Sequence, residues 1–269
     1  MVKEEVFAFS STCIGASHLK TETPCQDFSS HWIFKKNAII AVADGHGSDD
    51  HYRSDRGSRF AVEAALHCIK ELIYINKNTI KKPIITMETL KKSIIALWYE
   101  KIAENIRGDP IDKCLTPEET FSPYGTTLLA AAITEHYCFA LQIGDGKCVC
   151  FDADGSVSQP VPWDEKCFLN RTTSLCDENA KSLFRHFYSE SLPIAIFLGS
   201  DGIDDSFPIN KNEEHLARFY KSVYNNFVHE GRQNGEIQLR DMLPLLTKKG
   251  SGDDVSIAGI IRGKLCLQL

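Results

Sequence analysis

The run Ala38-Ile39-Ile40-Ala41-Val42-Ala43, followed by Asp44-Gly45-His46-Gly47, constrains this chain more than any other stretch. Six consecutive apolar residues with β-branched members predict a buried strand. It stops on an aspartate and a turn in which two residues lack a Cβ, so another group can approach the backbone closely. A carboxylate and an imidazole are thereby delivered to the rim of a buried strand. Alone, the segment reads equally well as a strand-ending turn with a capping aspartate. Its recurrence elsewhere in the chain separates the two readings.

Residues 6–15 and 27–34 carry β-formers, with Lys35-Lys36-Asn37 as a hairpin turn before the strand at 38–43. Residues 17–27 form a polar loop ending on Asp27. An apolar stripe from Phe60 to Ile73 has helical spacing, and a second helix is predicted over 87–106, with Thr86 or Thr89 as its cap. A proline-bearing loop spans 108–123. Strands follow at Thr126–Thr134, Tyr137–Ile143, Cys148–Phe151, Pro193–Leu198 and Val255–Ile261. Helical segments are expected near 213–230 and 236–247. Residues 156–192 read as an irregular flap or insert, with a polar helix-like piece around 177–188. Tight turns between strands favour antiparallel pairing, and grouped helices favour an α+β layered fold over alternating βαβ units. The expectation is one domain over 1–269.

Several classes are disfavoured. A net charge of −6 argues against a basic nucleic-acid-binding surface. No apolar run reaches membrane-spanning length, and the acidic start Met1-Val2-Lys3-Glu4-Glu5-Val6 shows no secretory signal. Ten scattered cysteines without a CxxC pair fit reduced, mostly buried thiols in a cytoplasmic protein. Oligomeric state is not legible.

Four loops at strand edges place aspartate beside glycine: Asp44-Gly45, Gly144-Asp145-Gly146, Asp201-Gly202 and Gly252-Asp253-Asp254. A fifth ends in Gln26-Asp27. Any one is an ordinary turn signal. Three follow apolar strands and one precedes such a strand, so one sheet system could gather the carboxylates. Like charges about 4 Å apart repel by roughly 1–4 kcal/mol per pair near a surface, which a bound cation would relieve. All-oxygen ligands suit Mg²⁺ or Mn²⁺. Two such ions can activate a water and hold a phosphate for in-line attack.

In chain order, Gln26-Asp27, Val42-Ala43-Asp44-Gly45-His46-Gly47, Tyr124-Gly125-Thr126-Thr127, Ile143-Gly144-Asp145, Ser200-Asp201-Gly202-Ile203-Asp204-Asp205 and Gly252-Asp253-Asp254-Val255-Ser256 resemble the metal-dependent type 2C protein serine/threonine phosphatases. The likeness, strongest to their compact bacterial branch, runs from about residue 10 to 261. It implies a four-layer α-β-β-α sandwich of two antiparallel sheets flanked by helices. It also implies a Mn²⁺- or Mg²⁺-dependent enzyme that hydrolyses phosphoserine and phosphothreonine in protein substrates with a metal-bound water. By motif, Asp44 would bridge two ions, the Gly45 carbonyl would bind one, and Asp201 and Asp253 would complete the first ion's shell. Asp27 would sit beside them. Asp145 and Asp201 match positions that hold a weaker third ion in several relatives. His46 matches the candidate general acid, protonating the leaving oxygen.

The chain also departs from the pattern. Glu22 stands where many relatives carry a phosphate-gripping arginine, which leaves Lys20 or His18 as substitutes. Gln26 replaces a glutamate, Gly146 a serine and Asp254 an asparagine. Asp49, Asp50 and His51 read as a solvated loop, and Thr126 and Thr127 as packing residues near the site. Two other readings stay open: a non-catalytic phosphatase-like binding or scaffold module, and a small-molecule phosphomonoesterase.

Overall fold

The computed structural model describes residues 5–76, 80–111, 116–168 and 171–263. Residues 1–4 of the N-terminal stretch, 112–115 of the expected loop with Cys114, 169–170 of the expected flap, and Cys266 lie outside them. The elements are β1 (Glu5–Cys13), α1 (Ala16–Thr21), β2 (Phe28–Phe34), β3 (Asn37–Ala43), α2 (Ser54–Ile75), α3 (Pro83–Gly108) and α4 (Pro117–Phe121). There follow β4 (Leu128–Ile133), β5 (Cys138–Ile143), β6 (Lys147–Phe151), β7 (Val157–Ser158), α5 (Ala180–Leu183), β8 (Arg185–Ser189) and β9 (Ala195–Gly199). The last are α6 (Asp201–Asp204), α7 (Asn212–Lys249) and β10 (Val255–Gly263).

Two five-stranded sheets result, β1-β10-β9-β6-β7 and β2-β3-β4-β5-β8, and every pairing is antiparallel. The run at 38–43 explains the layering. Ala38, Ile40 and Val42 point between the sheets, with Leu129, Ile196 and Ile260. Ile39, Ala41 and Ala43 point outward beneath α2 and α3, with Ala61, Ile69 and Trp98. A strand apolar on both faces must be covered on both, and here it is. On the other sheet, Phe9, Phe197 and Ile257 pack against Tyr220 and Phe227 of α7. The expected α-β-β-α sandwich is the observed fold. Among the described residues, no helix is long and apolar enough to cross a membrane.

Local departures have physical causes. Helix α3 starts earlier than its apolar stripe, with Pro83 in its first turn, where a missing N–H costs nothing. Thr86 and Thr89 therefore lie inside the helix, and the Thr89 hydroxyl donates to the Ile85 carbonyl at 2.9 Å. The expected loop at 108–123 contains α4, begun by a capping box between Thr116 and Glu119. The two expected C-terminal helices form one element broken at Gly231, whose φ of 80° and ψ of 169° leave the helical region. Of the helix-like piece expected around 177–188, Ala180–Leu183 is helical as α5, while Arg185–Ser189 forms the edge strand β8 beside β5. Near both ends of the expected flap, β7 and β8 are thus built into the two sheets.

Candidate metal centre and active site

Strand register brings the aspartate loops to one end of the sandwich. Phe28 pairs with Ala43, so Asp27 and Asp44 continue adjacent strands at the same edge. Leu128 pairs with Ile143, Lys147 with Gly199, and Cys13 with Val255, which places the loops bearing Asp145, Asp201 and Asp253 there too. Asp44, Asp145, Asp201 and Asp253 line one cleft of about 430 Å³, together with His18 and His46.

The cleft strains its own carboxylates. Asp44 and Asp201 share a hydrogen bond. Burial, then the charges of Asp201 and Asp27, hold Asp44 well above the usual carboxylate range. Burial pushes Asp201 up to about 6, with the charges of Asp145 and Asp253 adding to it. Asp145 is raised mainly by burial, against a hydrogen bond from Thr172. Asp27 is buried, stands outside the cleft lining and is raised by burial, while Ser200 and Ser256 hydrogen-bond it. Its Oδ2 has no hydrogen-bond partner among the described residues.

The backbone of Asp44 is clamped by two threonines read from the sequence as packing residues. Its N–H donates to Thr127 Oγ1 at 3.1 Å, and its carbonyl accepts from Thr126 Oγ1 and the Thr127 N–H, both at 2.8 Å. Gly45 donates to the Gln26 carbonyl at 3.1 Å. A Cβ on Gly45 would lie 2.6 Å from the Ser54 carbonyl oxygen, so the turn admits no side chain. Gln26 acts as a strut, its amide donating to Ser54 Oγ at 2.8 Å and to the His46 carbonyl at 3.3 Å.

His51 is not a solvated loop residue. Its ring stands edge-on to His46, 4.9 Å between centroids, and its Nδ1 is hydrogen-bonded to the Ser122 carbonyl. Both rings rest on Gly125, where a Cβ would lie 2.5 Å from His51 and 2.8 Å from His46. Burial, then His51, lowers His46 to about 4.

Asp253 is more than half exposed, whereas Asp254 is buried. Among the described residues, one set of three potential ligands has its atoms within 4.8 Å of one another: His18, Asp253 and Asp254. Lys20 and Glu22 are exposed and stand outside the cleft lining. Arg171, unnoticed in the sequence, is the one lysine or arginine among the described lining residues. Its signal would have been a cation inside the expected flap, which composition alone does not single out. Cys176 also lines the cleft, but burial raises its thiol and so disfavours a thiolate nucleophile.

The donor set fits divalent cations. It is dominated by carboxylate oxygens, two of them in mutual contact, and a buried carboxylate oxygen beside it lacks a partner. A protein phosphatase 2C family model matches residues 14–244. No curated protein matches the sequence. Among solved structures, the catalytic domain of the serine/threonine protein phosphatase PstP, in complex with two manganese ions, is 14% identical with a TM-score of 0.62, covering 97% of this chain and 100% of that one. PppA of Pseudomonas aeruginosa is 14% identical with a TM-score of 0.60, covering 96% and 97%. RsbX in complex with magnesium is 12% identical with a TM-score of 0.54, covering 98% and 100%. Identities this low speak for the fold.

Proposed function

The chain belongs to the protein phosphatase 2C family, and from that premise we propose that it hydrolyses phosphoserine and phosphothreonine esters in proteins with two Mn²⁺ or Mg²⁺ ions held in this cleft. The observation that carries the reading is the convergence of Asp44, Asp145, Asp201 and Asp253 on one cleft, with Asp44 against Asp201. Asp44, the Gly45 carbonyl, Asp201 and Asp253 would hold the two ions, with Asp27 beside them and Asp145 available to a weaker third. Bound ions supply Lewis acidity, activating water and neutralising the phosphate.

The chain's own groups do the rest. His46 is held to the cleft wall by its backbone N–H, which donates to the Gly125 carbonyl at 3.1 Å. Burial and His51 lower its pKa to about 4, and a phosphate dianion beside it would raise it. It then carries the proton that the leaving seryl or threonyl oxygen needs. Arg171 supplies the planar cation that matches phosphate oxygens two at a time, in place of the arginine absent at Glu22. The backbone at Arg171 is fixed by reciprocal bonds with Phe168 at 3.0 and 3.1 Å.

Phosphate release from a phosphothreonine peptide tests the reading. Turnover is expected with Mn²⁺, none with chelator, and the peptide is expected to exceed small phosphate esters in kcat/KM. Equal or better turnover of the small esters would favour a metabolite phosphatase, and no turnover a binding module. In the same assay Arg171→Ala is expected to lower kcat/KM by about 10- to 100-fold, mainly through KM, as the loss of a charged hydrogen-bond pair requires. Arg171→Lys should restore only part, and an unchanged KM in Arg171→Ala would place the phosphate grip elsewhere.

A further inference from the structure

His18 projects from α1 into the cleft between two carboxylates of different kinds. Its Nδ1 lies 3.0 Å from Asp254 Oδ1, and its Nε2 lies 3.7 Å from Asp253 Oδ1. Asp254 is pinned by the backbone. Its Oδ1 accepts the Gly15 N–H and its Oδ2 the Gln26 N–H, both at 2.6 Å. A carboxylate tied to two backbone segments cannot swing out to bind an ion, but it orients the imidazole. A carboxylate oxygen only accepts, so Nδ1 is the donor to Asp254, and Nε2 is the ring nitrogen left to offer a lone pair to a cation on the Asp253 side. Asp253 is half free, its Oδ1 accepting the Asp254 N–H at 2.8 Å.

Carboxylate, histidine and metal in line is the arrangement by which proteins orient imidazole ligands. Two ligand atoms 3.7 Å apart can straddle a cation with bonds of roughly 2.1 Å. We propose that His18 is a ligand, through Nε2, of the ion held by Asp253, with Asp254 as the positioning residue behind it. The inference rests on the reading above that this cleft holds divalent ions. It gives the centre one nitrogen among its oxygens, which favours Mn²⁺ over Mg²⁺. It also gives Asp254 a role that an asparagine could not fill in the same way, because Gly15, Gln26 and His18 engage both carboxylate oxygens and an amide has one accepting oxygen.

Pulsed electron paramagnetic resonance of the Mn²⁺-loaded chain reads the ligand directly. The expected result is a ¹⁴N modulation that changes to the ¹⁵N pattern when the chain carries ¹⁵N-histidine. It should disappear in His18→Gln, which still takes up Mn²⁺ through the carboxylates. A modulation absent from the unaltered chain, or surviving in His18→Gln, overturns the assignment while leaving the metal centre intact. A chain that takes up no Mn²⁺ overturns both.

Discussion

Asp201→Asn is expected to abolish Mn²⁺-dependent phosphatase activity and, in the same variant, to make the metal-free chain more stable at pH 7. The two effects share a cause. Asp201 is mostly buried against Asp44, with Asp145 and Asp253 adding like charge, and is pushed up to about 6. A folded-state pKa above the unfolded value means that its neutral form is favoured on folding. That contribution is complete below the unfolded value near 3.8 and is lost as pH rises through about 6. At pH 7 the ionised carboxylate therefore opposes folding by on the order of 1–3 kcal/mol, which a neutral amide relieves. Tm in chelator should rise by several degrees for a chain of this length. The loss of a metal ligand should remove several kcal/mol of transition-state stabilisation, about 10³-fold or more in kcat. Retained activity, or a lower Tm in chelator, would show that Asp201 stands in the cleft for another reason.

Mn²⁺ is expected to raise the Tm of the unaltered chain at pH 7.5 by about 5–10 °C, because an ion at 100 times its Kd adds about 2.7 kcal/mol to the folded state. The rise should shrink steeply below pH 6. Ligand carboxylates must lose their protons to bind, and Asp201 at about 6 and the still higher Asp44 compete for protons in that range. Metal-free and metal-loaded stability curves therefore diverge as pH increases, the first falling and the second rising. Differential scanning fluorimetry across pH 5–8 checks this. A Mn²⁺ effect of constant size across that range would contradict carboxylate ligation by this pair.

What could be read from the residues alone follows from how local each signal was. The run at 38–43 is apolar on both faces, so its burial needed no tertiary information. The aspartates at 44, 145, 201 and 253 each lie within two residues of a strand end, and a common edge gathers them. Residues acting through distant partners left no such trace. Thr126 and Thr127 clamp Asp44 across more than eighty residues of chain. His51 gains its place from a carbonyl at Ser122 and a glycine at 125. Asp254, noted in the sequence only as standing in place of an asparagine, joins Gly15, Gln26 and His18. Strand β8 was missed because Arg185, His186 and Ser189 dilute a five-residue strand whose pairing with β5 is a tertiary contact. Helix α1 is six residues long, below the length at which periodicity speaks.

Anomalous diffraction from crystals grown with Mn²⁺ tests the central claim most directly. Two strong peaks are expected in the cleft, one bonded to Asp44, Asp201 and Asp253 and the other to Asp44 and the Gly45 carbonyl. A map with no peak within bonding distance of Asp44 would contradict it.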